Sequence, residues 1–252
     1  MATTTDQPVL PDVELVETDG EPLDSAWHRD EINLLVEVIR YRFRDRRDYF
    51  VGGNMFIYFN VEQARNRDFR GPDFFFVDEV QRYDQLRPYW VVWEEGGKYP
   101  NVIIELVSAS TADEDRTTKK RIYERTFRTP EYFLYDPDTR RLDGWRLTCE
   151  RYRPIEPNER GWLWSEQLGL WLGAWEGQYQ GAQGVWLRFY DADGQLVPLF
   201  GEAERQRAEA ERQRAEAERQ RAETVEAELA RLRAIIAKQN GPTDGADGTS
   251  QK

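Results

Sequence analysis

Residues 102–107 read Val-Ile-Ile-Glu-Leu-Val, an apolar run interrupted by a single carboxylate. A short run that is apolar on both faces is typical of a central strand, so it predicts the middle of a sheet that is covered on both sides. Because side chains alternate along a strand, Glu105 shares a face with Ile103 and Val107. An ionised carboxylate on that face costs several kcal/mol unless a cation or hydrogen-bond donors compensate it. The alternatives are a salt bridge to an arginine, or an exposed edge strand.

A second carboxylate stands at the start of another apolar run. Asp73 follows Pro72 directly and precedes Phe-Phe-Phe-Val at residues 74–77, which predicts a second strand. An aspartate before a strand is ordinary, so Asp73 alone carries little information. The pair of carboxylates at two apolar strands is more informative than either member.

The segment that follows the first run predicts a helix from about Thr111 to Phe127. Thr111 and Glu114 make a capping-box pattern at its start, and Pro130 enforces its end. The helix would therefore lie directly after the strand that carries the buried carboxylate.

Three polar residues of this helix lie on one face, at positions i, i+4 and i+8: Asp115, Lys119 and Tyr123. Lys119 is on or next to the apolar stripe, where a lysine suggests a partner such as a carboxylate or a phosphate. The alternative is a lysine whose aliphatic stem covers apolar surface while its ammonium group reaches water.

The composition restricts the available chemistry. The chain has 252 residues and a formal net charge of −12, with one histidine, His28, and one cysteine, Cys149. These counts exclude a disulfide framework and metal sites built from several Cys or His ligands, and they disfavour a Ser-His-Asp triad. Catalysis would therefore use Asp, Glu, Lys and Arg. No apolar run is long enough to span a bilayer and the N-terminus does not read as a signal peptide, which predicts a cytoplasmic protein.

The chain divides into regions of different composition. The folded body is expected to begin with a helical pattern over residues 25–47 and to end in a Trp/Gly-rich β-meander. The last hairpin of this meander is predicted to pair residues 185–190 with residues 195–199. The predicted regions are a disordered acidic leader over 1–24, the body over 25–200, a heptad-repeat helix over 201–240 and a disordered tail over 241–252.

The heptad region repeats Glu-Ala-Glu-Arg-Gln-Arg-Ala three times over residues 202–222, which predicts a long helix. Apolar residues at the a and d spacing follow, and they suggest a coiled coil that reinforces a homodimer. These residues are Ala222, Val225, Leu229, Leu232 and Ile236.

The body carries an ordered series of spaced motifs: Gly71-Pro72-Asp73, Glu105-Leu106-Val107-Ser108, Ser110-Thr111, Asp115, Lys119, Tyr123, and the run from Glu131 to Pro137. This series resembles the Uma-two family, bacterial proteins labelled restriction endonucleases within the PD-(D/E)xK nuclease superfamily. The resemblance covers roughly residues 25–200. It implies a restriction-endonuclease-like α/β fold, in which a mixed sheet is flanked by helices and carries the acidic residues on adjacent strands.

The resemblance also implies the metal ligands. Asp73 and Glu105 would hold Mg²⁺ or Mn²⁺, with the carbonyl oxygen of Leu106 as a third ligand. Hard oxygen donors of this kind suit Mg²⁺, which keeps several waters and leaves positions open for a phosphate. The implied activity is hydrolysis of DNA phosphodiester bonds by a metal-activated water, without an organic cofactor.

The lysine of the site is implied to come from the helix. The superfamily usually places its lysine two residues after the glutamate, where this chain has Val107. By resemblance the catalytic lysine is Lys119, and Lys120 remains a rival. Asp115 would orient Lys119 or bind a second metal through water, and Tyr123 would support the site.

Two further functions remain open at this stage. The chain could be an inactive nuclease fold that serves as an interaction module and dimerises through its C-terminal helix, or another metal-dependent hydrolase. Five arginines between residues 40 and 47 would either face solvent or contact backbone phosphates.

Overall fold

The computed structural model of the chain describes residues 25–66, 70–81, 83–108 and 115–239. The expected leader over residues 1–24, the expected tail over 241–252 and the expected capping box at Thr111 and Glu114 lie outside the described residues. The chain divides into two compact units, Met1–Phe200 and Gly201–Lys252.

A six-stranded mixed sheet forms the centre of the first unit. Neighbouring strands pair antiparallel except for one parallel pair in the middle, formed by the third and fourth strands in spatial order. In spatial order the strands are β1 (Tyr49–Gly52), β3 (Phe74–Asp78), β5 (Val102–Leu106), β6 (Glu131–Asp136), β7 (Arg141–Thr148) and β8 (Arg151–Pro154).

Strand β5 lies in the middle of this sheet because its apolar run can be buried on both faces. All five of its residues are buried. Val102, Ile104 and Leu106 contact one apolar cluster, whereas Ile103 belongs to the cluster on the other face. The expectation of a central strand is confirmed, and an exposed edge strand is excluded because β5 has a neighbour on either side.

Different elements cover the two faces. On one face lie helix α1 (Ala26–Arg42) and a three-stranded antiparallel meander of β9 (Leu163–Ser165), β10 (Leu170–Tyr179) and β11 (Ala182–Tyr190). On the other face lie a helix over residues 115–127, which we call the site helix, and a parallel pair of β2 (Ile57–Tyr58) with β4 (Trp90–Val91). A short helix, α2 (Val61–Arg65), follows β2. This arrangement confirms the expected mixed sheet flanked by helices and the added meander.

Helix α1 ends earlier than the pattern over residues 25–47 predicts. Ser25 caps it by accepting a hydrogen bond from the backbone N–H of His28, and the helix stops at Arg42. The chain then turns towards β1, where the guanidinium group of Arg46 pairs with Asp48 and Asp78. This pairing holds the pKa of Arg46 above its usual range and fixes the turn to the end of β3.

The site helix is continuous but only partly α-helical. Asp115–Lys119 and Tyr123–Phe127 are π-helical, and Lys120–Ile122 between them is α-helical. The helix ends at Arg128, which has a left-handed backbone with φ of 53°. Short π-helical segments are rare and occur often at functional sites, because the wider turn redirects side chains.

The predicted long C-terminal helix is confirmed and runs over Phe200–Gln239, which is 40 residues. Ion pairs between residues one turn apart, such as Arg219 with Glu223 at 2.9 Å, lie along its surface. Large apolar side chains near its end are about half exposed, namely Val225, Leu229, Leu232, Ile235 and Ile236. Within the described residues no helix combines the length and the apolar character that a bilayer crossing requires.

Candidate active site

Asp73 directly precedes β3, and continuing the strand register places it opposite Glu105 on β5. In the antiparallel pair of β3 and β5, Phe74 pairs with Ile104 and Phe75 pairs with Ile103. One further step of this register sets Asp73 against Glu105. Asp73 lies two residues before Phe75, and Glu105 lies two residues after Ile103. Because side chains two apart in an extended chain share a face, both carboxylates lie on the sheet face that packs against the site helix. Cβ atoms of directly opposite residues are about 4.5–5.5 Å apart, which brings the two carboxylates to one place.

Glu105 is fully buried and receives hydrogen bonds from the site helix. The ammonium Nζ of Lys119 donates to Oε2 at 3.2 Å, and the hydroxyl of Tyr123 donates to Oε1 at 2.7 Å. The side chain of Lys119 is 20% exposed, whereas that of Glu105 is 0% exposed. A cation and a hydroxyl group therefore compensate the burial of the carboxylate, as the sequence requires.

Asp73 binds the backbone of the neighbouring strand. Its Oδ2 accepts a hydrogen bond of 2.7 Å from the N–H of Leu106. Val107 donates its own N–H to Tyr135 on β6, so Leu106 turns its N–H and its carbonyl to the opposite side, towards β3. The residue of β3 that faces Leu106 in the same register is Pro72, which has no N–H to donate. The ladder of hydrogen bonds therefore stops at the two carboxylates.

His28 contacts the carbonyl group that this proline leaves available. Its Nε2 lies 3.3 Å from the carbonyl oxygen of Leu106, and its Nδ1 lies 3.0 Å from Oγ of Ser25. Because a carbonyl oxygen can only accept, Nε2 is the donor in this contact. The composition excluded metal sites built from several histidines, but it gave no indication that the single histidine contacts the expected third ligand. The only sequence signal at His28 is the cap spacing from Ser25, which predicts a helix start.

The structure separates the two candidate lysines. Lys120 places its ammonium group 3.7 Å from the ring centroid of Trp145, and burial lowers its pKa. It points to β7, whereas Lys119 reaches Glu105. Asp115 begins the first π-helical segment, and its expected supporting role stays a prediction.

Another buried carboxylate lies on α1, one turn after His28. Glu31 is 0% exposed, and its Oε2 accepts from the backbone N–H of Leu187 on β11 at 3.0 Å. Burial raises the pKa of Glu31 well above its ordinary value, although the guanidinium group of Arg188 acts in the other direction. This carboxyl group faces the meander, and sequence reasoning did not identify it.

The donors at the two opposite carboxylates fit a divalent cation that keeps most of its waters. Within the described residues no group of three or more His, Cys, Asp and Glu side chains is placed to hold a metal. Mg²⁺ is commonly bound through one or two carboxylates, with water and substrate phosphate completing its octahedron. Asp73 and Glu105 meet this requirement, and the carbonyl of Leu106 has a second lone pair beside the one used by His28.

Comparisons with known proteins give one family and a distant structural relative. The chain matches the Uma2 family, described as "Putative restriction endonuclease", over residues 7–176, about two thirds of its length. Among solved structures it is similar to a crystal structure titled as a "putative nuclease belonging to DUF820" from Anabaena variabilis ATCC 29413. That similarity has 14% identity and a TM-score of 0.44, and it covers 60% of this chain and 81% of the other. No curated protein matches the chain.

Proposed function

Because the chain belongs to the Uma2 family, we propose that it is an endonuclease that hydrolyses DNA phosphodiester bonds with Mg²⁺ or Mn²⁺. The observation that carries this proposal is the position of Asp73 opposite Glu105, with Lys119 bound to Glu105. Two carboxylates and one lysine, placed where the pairing of β3 and β5 ends, are the residue types that hydrolysis without histidine needs.

Each residue of the site has a separate role in this proposal. Asp73 and Glu105 would hold the cation, which when bound lowers the pKa of a water and offsets charge on the scissile phosphate. Lys119 positions the attacking water or stabilises negative charge that develops on the phosphate. Tyr123 fixes the orientation of the Glu105 carboxylate, and His28 fixes the peptide of Leu106.

The proposal is tested by a cleavage assay on supercoiled, linear and branched DNA with Mg²⁺, with Mn²⁺ and with a chelator. We expect cleavage that requires the metal. Calorimetric titration with Mn²⁺ in the presence of DNA gives an independent measurement. A chain that neither cuts DNA nor binds the ion would be the inactive interaction module instead.

We expect Lys119→Ala to slow cleavage by about 10²–10³-fold, since one positioned charge that acts on the transition state has effects of this size. Lys120→Ala is the matched control, because the neighbouring lysine lies on Trp145 and should retain a rate within about threefold. The two rates are compared under single-turnover conditions at saturating Mg²⁺. The assignment is wrong if the Lys120 variant is the slow one.

A second candidate function is association through the C-terminal helix. Its apolar residues at coiled-coil spacing are about half exposed, which favours a partner helix of the same kind. We propose that a second copy of the chain supplies this helix, so that the protein is a homodimer. The proposal is independent of catalysis, and it holds for an active enzyme and for an inactive module.

The dimer is tested in the full chain by introducing charge into the apolar stripe. Leu229→Glu together with Leu232→Glu should convert a particle of two chains into a monomer of 29.8 kDa, as measured by light scattering. Ala227→Glu with Ala234→Glu is the control, because these positions lie on the opposite side of the heptad. A dimer that survives the leucine substitutions would contradict the proposal.

A further inference from the structure

A cavity of about 460 Å³ lies at the outer edge of β1, the first strand of the six-stranded sheet. Helix α1 forms one wall, β1 forms the floor and residues 83–87 form the other wall. A volume of this size lies within the usual range for sites that bind small molecules or parts of larger ligands. We call it the β1 cavity, and none of the roles described above uses it.

The β1 cavity begins next to the candidate active site. Gly53 lines the cavity, and a Cβ at this position would lie 2.9 Å from the carbonyl oxygen of Asp73. The next residue, Asn54, donates its N–H to the carbonyl oxygens of Pro72 and Asp73, at 3.1 and 3.2 Å. Because adjacent strands are about 4.8 Å apart, the cavity starts about 5 Å from the backbone of Asp73 and about 10 Å from that of Glu105.

The lining combines aromatic rings with polar groups. Tyr83 supplies an exposed ring, whereas the rings of Tyr49 and Phe50 already stack on Phe76 and Trp90. Aliphatic side chains of α1 complete the apolar surface. Asn33 and Gln85 supply amide groups, and among the described lining residues the carboxylate is that of Asp84. A lining that combines an aromatic ring with hydrogen-bond donors and acceptors suits a flat aromatic ligand whose edge carries hydrogen-bonding groups.

Positive charge accompanies this lining although the whole chain is acidic. Arg40 lines the cavity, is exposed and forms no ion pair among the described residues. Arg47 lies over the ring of Tyr83, with 5.3 Å between its guanidinium carbon and the ring centroid. A guanidinium group that has no ion pair among the described residues, beside the exposed ring of Tyr83, suits a phosphate that is attached to a base.

We propose that the β1 cavity binds an unpaired base of the DNA strand that is cleaved, while Arg40 contacts a phosphate of the same strand. This inference rests on the proposed function. The exposed ring of Tyr83 would stack on the base. A base of a regular duplex would first have to unpair to reach it. The enzyme would therefore prefer single-stranded or locally unpaired DNA over regular duplex.

The test measures binding without cleavage, in the presence of a chelator, by fluorescence anisotropy. The probes are a labelled oligothymidylate and an abasic strand of the same length. We expect the full-length protein to bind the base-bearing strand about tenfold more tightly than the abasic strand. Asn33→Trp, which fills the cavity from an exposed position on α1, should bring this ratio close to one.

Charge reversal separates the phosphate contact from the base contact. Arg40→Glu should weaken the binding of both strands by about tenfold or more and leave their ratio unchanged. Arg153→Glu is the matched control, because this exposed arginine lies on β8 at the other edge of the sheet, and it should change binding by less than about twofold. Thermal unfolding of each variant confirms that the fold is retained.

The outcomes distinguish this inference from the proposed function. A base preference that Asn33→Trp leaves intact, or equal effects of the Arg40 and Arg153 reversals, would overturn the base site even if the enzyme cuts DNA. Conversely, variants that behave as expected in a protein that never cuts DNA would support the base site and refute the nuclease activity.

Discussion

Asp73→Asn and Glu105→Gln are each expected to reduce DNA cleavage by about 10³-fold or more. Each substitution removes one of the two negative charges that would hold the cation and leaves a side chain of nearly the same shape. Glu105→Gln retains an oxygen that can accept from Tyr123, so the core around β5 should persist. Single-turnover cleavage of supercoiled DNA at saturating Mg²⁺ measures the effect.

The matched control for this prediction lies on the same strand as Asp73. Asp78→Asn changes a carboxylate at the far end of β3, where the partner is Arg46, and it should leave the cleavage rate within about threefold. Calorimetry with Mn²⁺ should show weaker binding for the Asp73 and Glu105 variants and unchanged binding for the control. A wild-type rate in either site variant would refute the assignment.

Glu131→Ala is expected to destabilise the fold by about 3–5 kcal/mol, the largest stability effect that we predict. Glu131 is 0% exposed, and its Oε1 accepts from Nε and Nη2 of Arg146, both at 3.0 Å. The hydroxyl of Ser165 and the backbone N–H groups of Glu166 and Gln167 donate to the same carboxylate. Its loss would leave Nε of Arg146, the Ser165 hydroxyl and two backbone N–H groups without this acceptor, whereas Nη1 and Nη2 of Arg146 would keep Glu166 and the carbonyl of Trp164.

Denaturation by urea, followed through tryptophan fluorescence, measures this loss. Glu156→Ala is the control, because that carboxylate is exposed, and its substitution should change the free energy of unfolding by less than about 0.5 kcal/mol. A loss below about 1 kcal/mol for Glu131→Ala would mean that water replaces the carboxylate at little cost. The description of a buried network around Glu131 would then be wrong.

The sequence was sufficient to predict the centre of the fold, and it directed attention to two carboxylates whose role as metal ligands stays a prediction. An apolar run on both faces can only be satisfied by burial on both sides, and this requirement fixed β5 in the middle of the sheet. Because side chains alternate along a strand, the sequence also predicted that Glu105 lies on the same sheet face as Ile103. The preference for Lys119 over Lys120 followed from the apolar stripe, whereas the reason that Lys120 is diverted, the ring of Trp145, lies on a distant strand.

Features that depend on distant contacts were not predictable. The periodicity of residues 115–127 predicts an α-helix, and nothing local in the pattern indicates the wider π-helical turns. The expected hairpin of residues 185–190 with 195–199 is confirmed only next to its turn, where Tyr190 bridges Leu196 and Val197 donates its N–H to the carbonyl of Phe189 at 3.0 Å. Along its length β11 pairs with β10 instead. A turn at Gln180 and Gly181, with φ of 48° and 86°, makes the observed hairpin.

Pro72, which precedes Asp73, ends the hydrogen-bonded pairing of β3 with β5. Any other residue at this position would have an amide N–H. That N–H could donate to the carbonyl oxygen of Leu106, extend the pairing of β3 with β5 by one hydrogen bond, and displace His28 from this oxygen. The end of pairing between β3 and β5, beside Asp73 and Glu105, therefore depends on one missing amide hydrogen, and a search for related active enzymes should weigh that proline as heavily as the two carboxylates.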